Sequence, residues 1–299
     1  MGIVYRRARR DDAPATSRIW AVAVSDLNRH HGFEHLQISP NPQNPYFTYC
    51  LNEEPEGIWV AEKDGQAIGF SLCWVRGPFW FLAQLFVLPE YHGQGVGRTL
   101  LEKALAHGGS EEVTNRALIT FAYNPVSISL YARSRMYPRE PLYAMVGQSR
   151  TVCERLREQE ANELGEKGAN AFERVSGPAE IRVLRRIDED VLGFSRDRDH
   201  SYLLQAQGSA CYLFLEHGTP QGYVYVWTNG RIGPLAVQSA ERLAGLLRFG
   251  LKLASETAEQ VSVLVAGSNE QAMPLALAHG LRIDCPFLLM ASRPFGKWG

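Results

Sequence analysis

A glycine-rich turn at residues 91–98, Tyr-His-Gly-Gln-Gly-Val-Gly-Arg, is the segment of this chain that most constrains its fold. An apolar run at 79–88 precedes it, and after it apolar residues recur at helical spacing from Val96 to Leu105. The turn is therefore predicted to join a buried strand to the start of a helix. N–H groups at a helix start lack intrahelical partners and favour negative charge. Since glycines let a phosphate approach the backbone closely, the pattern predicts a diphosphate-binding turn.

The spacing of the turn differs from that of two other phosphate-binding loops. The nucleoside-triphosphate loop requires a lysine after its last glycine, and Arg98 follows Gly97 here. The dinucleotide fingerprint requires a third glycine three residues after Gly97, where this chain has Leu100.

A second informative segment begins at Asn124-Pro125, where the sequence carries a signal for the start of a helix. Asparagine is a good N-cap and proline suits the first helical position. The sequence predicts a helix that continues through Arg135 and is ended by Pro138. Tyr131 follows the cap by seven residues, which is two helical turns or about 10 Å. The asparagine and the tyrosine are therefore predicted to share one face of this helix.

These two segments resemble motifs of the GCN5-related N-acetyltransferase family. The turn resembles the family's acyl-CoA loop, Arg/Gln-x-x-Gly-x-Gly/Ala, except that His92 stands in the first position. The second segment resembles Asn-x-x-Ala-x-x-x-Tyr, with Ser127 at the small position. Where the family usually has Gly-Phe after this helix, this chain has Arg135-Met136. The resemblance covers about residues 1–148.

The resemblance implies transfer of an acetyl group from acetyl-CoA, the co-substrate, to an amine that attacks the thioester directly. It implies that Tyr131 protonates the departing thiolate, that a backbone N–H near Val87 stabilises the oxyanion, and that Asn124 contacts the pantetheine arm. The loop would hold the diphosphate through its backbone N–H groups. The implied cofactor-binding residues are Leu85, Phe86, Val87, His92, Gly93, Gln94, Gly95, Val96, Gly97, Arg98, Thr99, Asn124 and Ser127.

The general base is not identified by the sequence. Relatives often place a carboxylate on the strand before the loop, whereas residues 79–85 contain none. Spacing favours none of the candidates, which are Asp26, His30, His31, Glu34 and Glu90.

The chain contains a loose internal repeat. Two segments, 58–74 and 211–227, each read as strand, turn and strand, and their Gly-aromatic pairs and tryptophans keep an offset of 153 residues. Residues 181–190 likewise resemble 3–12, which predicts a short strand and then a helix. The sequence predicts an α/β (α+β) fold: an acyl-CoA-binding domain at 1–150, a linker at 151–178 and a second domain at 179–299. Each domain is expected to have a mixed, mostly antiparallel sheet flanked by helices. The alternative is one large α/β domain whose hairpins are alike by chance.

The second half does not repeat the chemical motifs of the first. Its strand-to-helix junction at 232–239 has no Gly-x-Gly, and Ala276 follows Asn269 at the spacing of the tyrosine. This half therefore resembles an acetyltransferase domain that has lost catalysis. The repeat implies a monomer that mimics a dimer internally, or a homodimer.

Composition limits the remaining alternatives. A formal net charge of −1 gives no basic field, so nucleic-acid and membrane partners are not expected. No apolar run approaches the 18 residues of a membrane span. Five cysteines without a Cys-x-x-Cys pair favour a reducing cytoplasm, and no metal-site spacing is present.

The acceptor is expected to be a small-molecule or peptide amine. Transfer of a different acyl group, or an acyl-CoA sensor without turnover, stays open.

Overall fold

A computed structural model describes residues 2–109, 112–162 and 170–298 of the chain. The chain divides into two compact units: Met1–Arg139 with Leu289–Arg293, and Glu140–Leu288 with Pro294–Gly299. The division thus falls near residue 140 and places a C-terminal segment in the first unit, whereas the sequence predicted contiguous domains on either side of a linker at 151–178.

The first unit has a sheet in the order β1-β2-β3-β4-β5, in which only β4 and β5 pair in parallel. Helix α1 packs against β3 and β4, and α3 packs against β2, β3 and β4. In chain order its elements are β1 (Val4–Arg7), α1 (Ala13–His30), α2 (Pro45–Glu53), β2 (Ile58–Lys63), β3 (Gln66–Arg76), β4 (Phe79–Val87), α3 (Val96–His107), β5 (Asn115–Phe121) and α4 (Pro125–Arg133).

The two faces of this sheet carry separate apolar clusters. Leu85 and Val87 of β4 pack with Leu100 of α3. Phe86, which lies between them in the strand, packs with Ile19 of α1. Because successive strand residues point to opposite faces, the apolar run of β4 is buried by α3 on one side and α1 on the other.

Strands β4 and β5 pair only over their first halves. Phe79–Leu82 lie beside Asn115–Leu118, and the pairing stops there although β4 continues to Val87 and β5 to Phe121. The ends of the two strands therefore leave a gap in the sheet, and β4 leads from this gap into the glycine-rich turn.

The C-terminal segment Leu289–Arg293 completes the first unit beside β5. The N–H of Ser292 donates to the carbonyl of Arg116 over 2.8 Å. The buried amide of Asn115 accepts from the N–H of Arg293 and donates through Nδ2 to its carbonyl, over 3.0 and 3.1 Å. A strand edge of the first unit is thus paired by residues that lie about 180 positions later in the chain.

The remaining elements of the chain are β6 (Tyr137–Gln148), α5 (Ser149–Asn162), β7 (Asn170–Arg174), α6 (Ile181–Leu192), α7 (Asp197–Gln205), β8 (Ser209–Glu216), β9 (Thr219–Trp227), β10 (Arg231–Val237), α8 (Leu243–Thr257), β11 (Gln260–Ala266), α9 (Ala272–Ala278) and β12 (Arg282–Ala291). The second unit has a sheet in the order β12-β6-β11-β10-β9-β8-β7. From β6 to β7 its neighbouring strands are antiparallel, except that β10 and β11 pair in parallel.

The predicted fold class is confirmed: both units have mixed, mostly antiparallel sheets flanked by helices. The predicted hairpin of the second half is β8 and β9, and the predicted helix after the next strand is α8. The stretch predicted as a linker contains most of α5 and all of β7, and its residues 163–169 lie outside the described residues.

One element of the predicted repeat is wrong. Residues 181–190, predicted as a strand followed by a helix, lie within α6, and the strand of this unit that precedes the helix is β7. Leu184, Ile187 and Val191 are the reason, since their spacing of three and four places all three in the core on one helical face. In the part of the chain that the structure describes, no helix has the length and apolarity needed to cross a membrane.

Candidate functional site

The glycine-rich turn has the backbone form that the sequence predicted. After a short 3-10 turn at Pro89–Tyr91, Gly93 and Gly95 take positive φ angles of 75° and 80°. Gly95 is the N-cap of α3. Residues with a Cβ rarely adopt this conformation, so both positions require glycine for an unstrained turn.

The backbone N–H groups of residues 93–98 form a row of donors at the start of α3. Within the described ranges, no hydrogen bond from any of these six groups is found, and the first helical bond of α3 is that from Thr99 N–H to the Gly95 carbonyl. Most of these residues are exposed. A row of unpaired donors at the positive end of a helix dipole suits an anion such as a diphosphate.

His92 has a defined position in the turn. Its Nε2 donates to the Val87 carbonyl over 2.9 Å, so Nε2 carries a proton. The side chain therefore ties the start of the turn to the end of β4. This contact gives a structural role to the residue that departs from the family pattern.

Val87 directs its peptide groups into the gap between β4 and β5. The next residue, Leu88, donates its N–H to the carbonyl of Ile68 in β3. Successive residues of a strand send their N–H and C=O groups to opposite sides, so those of Val87 point away from β3. The N–H of Val87 is therefore available in the gap, beside the carbonyl that His92 holds.

Asn124 caps α4, as the sequence predicted. Its Oδ1 accepts from the N–H of Ser127 over 3.1 Å, and its own carbonyl accepts from Ile128. No hydrogen bond from its Nδ2 is found within the described residues. The side chain thus holds the helix start with one end and presents two N–H donors at the other.

Tyr131 lies one helical turn beyond Ser127 and is only 5% exposed. Burial raises the pKa of Tyr131 above its ordinary value of 10, and the Ser127 side chain offsets this only in part. The phenol therefore keeps its proton throughout the neutral range, as a proton donor must.

Helix α4 ends earlier than predicted. The prediction that Pro138 ends it is wrong, because the helix stops at Arg133 in a Schellman motif. The N–H of Met136 donates to the Tyr131 carbonyl and that of Arg135 to the Ala132 carbonyl. Arg135 takes the left-handed φ of 62° that glycine usually provides at this position.

The candidates for the general base occupy varied positions. Asp26 forms an ion pair of 3.5 Å with Arg29, and its carboxylate lies 3.5 Å from Nδ1 of His30. The Nδ1 atoms of His30 and His31 contact backbone carbonyls of α1. Glu34 and Glu90 are exposed.

Sequence reasoning missed two features near the gap. Gln84 of β4 carries a buried amide oxygen without a hydrogen-bond partner among the described residues. Tyr123 directly precedes the cap of α4, donates to Asn28 Oδ1 of α1 over 2.7 Å and stacks on Phe33 with ring centroids 4.4 Å apart. Neither feature belongs to a linear motif, since each depends on strand geometry or on a contact between distant residues.

The second unit has an asparagine before the corresponding helix but not the chemistry. Asn269 lies two residues before the N-cap Gln271 of α9, its Oδ1 accepts from the N–H of Ala272, and the residue seven positions after Asn269 is the buried Ala276. Its strand-to-helix junction has a 3-10 turn at Ala240–Arg242 and then α8, with no glycine from 234 to 244.

Known proteins are similar to this chain in sequence and in fold. The family model described as acetyltransferase (GNAT) matches residues 12–135. An uncharacterized N-acetyltransferase of Archaeoglobus fulgidus is 32% identical over 112 residues, which are 34% of this chain and 71% of that protein. Of the solved structures, a GCN5-related N-acetyltransferase from Sphaerobacter thermophilus has a TM-score of 0.66 and 15% identity, covering 98% of this chain and 96% of that one. A tandem GNAT protein from the clavulanic acid biosynthesis pathway has a TM-score of 0.60 and 16% identity, covering 98% and 99%.

Proposed function

We propose that this chain, which belongs to the acetyltransferase (GNAT) family, transfers an acetyl group from acetyl-CoA to the amino group of a small molecule or peptide. The observation that carries the proposal is the row of unpaired N–H groups at residues 93–98, where β4 leads into α3. Gly93 and Gly95 have the positive φ angles that the turn requires and carry no Cβ atom that would obstruct a diphosphate in this cradle.

Acetyl-CoA supplies a thioester, and attack by an uncharged amine forms the C–N bond, breaks the C–S bond and releases one proton from nitrogen. The N–H of Val87 in the gap is the proposed donor to the negative charge that develops on the carbonyl oxygen. The Nδ2 donors of Asn124 suit an amide-containing arm. Tyr131 keeps its proton at neutral pH and is the proposed acid for the thiolate.

A kinetic experiment tests the proposal. Thiol release from acetyl-CoA is measured against a panel of amines that includes diamines, amino sugars, lysine and peptide N-termini. Tyr131→Phe is expected to lower kcat by about 10²–10⁴-fold, the usual contribution of a positioned acid. The Kd for acetyl-CoA, measured by calorimetry, is expected to change little. Tyr137→Phe, at a tyrosine that is 48% exposed, is the matched control.

Two results contradict the proposal in different ways. Tight acetyl-CoA binding without amine-dependent thiol release would favour an acyl-CoA sensor, which the absence of a carboxylate from β4 already makes worth testing. If Tyr131→Phe turns over as fast as Tyr137→Phe, the acetyltransferase stands but Tyr131 is not its acid.

A further inference from the structure

Gln84 carries a polar atom whose position calls for an explanation. Its Oε1 is buried and accepts no hydrogen bond from the described residues. Such an acceptor loses its bonds to water on folding and gains nothing in return, so native proteins contain few of them. One that faces a functional cleft is free to bind a donor on a ligand.

A bulge in β4 determines where Gln84 points. Leu82 pairs with Cys73 of β3, and Gln84 pairs with the preceding residue, Leu72. Ala83 is therefore an extra residue without a partner on β3, which is a β-bulge. Because strand side chains alternate, one extra residue transfers every later side chain of β4 to the opposite face.

The contacts on either side of the bulge identify the face. The Sγ of Cys73 contacts the Ala104 carbonyl of α3, so its partner Leu82 faces α3. Beyond the bulge, Phe86 packs with Ile19 of α1. Gln84, two residues before Phe86, shares this α1 face. Without the bulge its amide would point toward α3.

The same face is bounded by aromatic side chains at the end of α1. Tyr123, just beyond β5, is held to Asn28 of α1 by its hydroxyl and stacks on Phe33. Gln84 lies on β4 two residues past the last β4–β5 pair, at the point where the gap opens. On the α1 side of the sheet, the first unit thus carries these aromatic rings next to the end of β5 and one buried acceptor atom on β4 where its pairing with β5 has ended.

We infer that Oε1 of Gln84 accepts a hydrogen bond from the acceptor's amino group and orients its nitrogen toward the gap. This inference rests on the proposed acetyltransferase function. An amide does not titrate, so Gln84 binds the amine without deprotonating it. The substrate class is a primary or secondary amine, since the bound group must donate N–H and a carboxylate or phosphate would meet a partial negative charge.

Three variants test the role of Gln84, with acetyl-CoA and the fastest acceptor among n-butylamine, putrescine, L-lysine and D-glucosamine. Gln84→Met keeps the length of the side chain and removes the acceptor, and it is expected to raise the KM for the amine about tenfold, the effect of one hydrogen bond to a charged group. The Kd for acetyl-CoA should stay within twofold. The Tm should stay equal or rise, because the unsatisfied buried oxygen is gone.

Gln84→Glu should lower the KM for the cationic amine. Gln66→Met, on the exposed end of β3, is the control.

The outcomes separate this inference from the proposed function. A KM for Gln84→Met within twofold of that for Gln66→Met, while the wild type turns over, overturns the role of Gln84 alone. A fall in Tm for Gln84→Met without a change in the amine KM shows a packing role and overturns it as well. If the wild-type chain releases no thiol with these amines or with the peptide N-termini of the first panel, the proposed function and this inference fail together.

Discussion

The glycines of the turn allow a sharp test, because two of them differ in backbone conformation. Gly95 has a φ of 80°, and an L-residue in this region costs about 1–2 kcal/mol. Gly97 lies in α3, and a Cβ there would meet Leu85 Cδ2 at 3.7 Å and Val87 Cγ2 at 3.8 Å, which are ordinary contacts. Gly95→Ala should therefore strain the turn, whereas Gly97→Ala should fit.

The expected magnitudes follow from these geometries. If the free turn of Gly95→Ala relaxes, acetyl-CoA binding must restore the strained form, and 1–2 kcal/mol weakens the Kd about 5- to 30-fold. If it does not relax, the free energy of unfolding falls by about the same 1–2 kcal/mol. Gly97→Ala should gain about 0.5–1 kcal/mol of stability, as alanine does in a helix, and should change the Kd less than about threefold.

The assay measures both quantities for both variants: the Kd for acetyl-CoA by calorimetry and the free energy of unfolding in urea. The sum of the two losses should be about 1–2 kcal/mol for Gly95→Ala. Equal weakening of acetyl-CoA binding by the two substitutions would refute the assignment of the strain to Gly95. A Gly95→Ala variant that is unchanged in both measurements would refute the described conformation of the turn.

Two further predictions concern stability. Arg135→Gly relieves the left-handed residue at the end of α4 and should stabilise the chain by about 0.5–1 kcal/mol in urea unfolding; Arg135→Ala keeps the strain, and equal stability of the two variants would contradict the argument. Asp188 is buried, which raises its pKa, but hydrogen bonds from His200 and Arg196 outweigh this and lower the pKa from 3.8 to about 2. A pKa lowered in the folded state stabilises at higher pH, so about 2 kcal/mol should be lost as the pH falls from about 4 to about 2. Asp188→Asn should lack this loss in urea unfolding across that range, and a parallel loss in the variant would contradict the assignment.

Local periodicity and cap signals predicted much of the candidate site. The start of α3, the cap at Asn124 and the hairpins depend on residues within a few positions of one another, and the structure has them where the sequence indicated. The binding and catalytic roles of these residues stay predictions. What the local signals could not supply is a partner that lies far away in the chain.

The C-terminal segment beside β5 shows this limit. Ser292 and Arg293 of this segment form hydrogen bonds with Asn115 and Arg116, and an apolar strand pattern does not encode which strand lies next to it. A chain ending near residue 150 would therefore lack a strand of its first unit. Gln84 shows a related limit, since its face depends on one extra residue in β4 that an alternating pattern does not reveal.

A comparison of the two units distinguishes the hydrogen bonds that maintain the fold from the side chains that the proposed chemistry needs. Asn124 and Asn269 each accept, through Oδ1, from the N–H three residues later at the start of a helix, and the helix ends in the same pair of hydrogen bonds near Arg135 in one unit and Gly280 in the other. Between these matched ends, Tyr131 of the first unit corresponds to Ala276 of the second. The hydrogen bonds at the start and the end of this helix are therefore independent of the side chain that would protonate a thiolate. Since the fold persists without the tyrosine and without the glycine turn, fold similarity alone cannot assign activity to either unit, and the proposed function depends on the residues of the first unit.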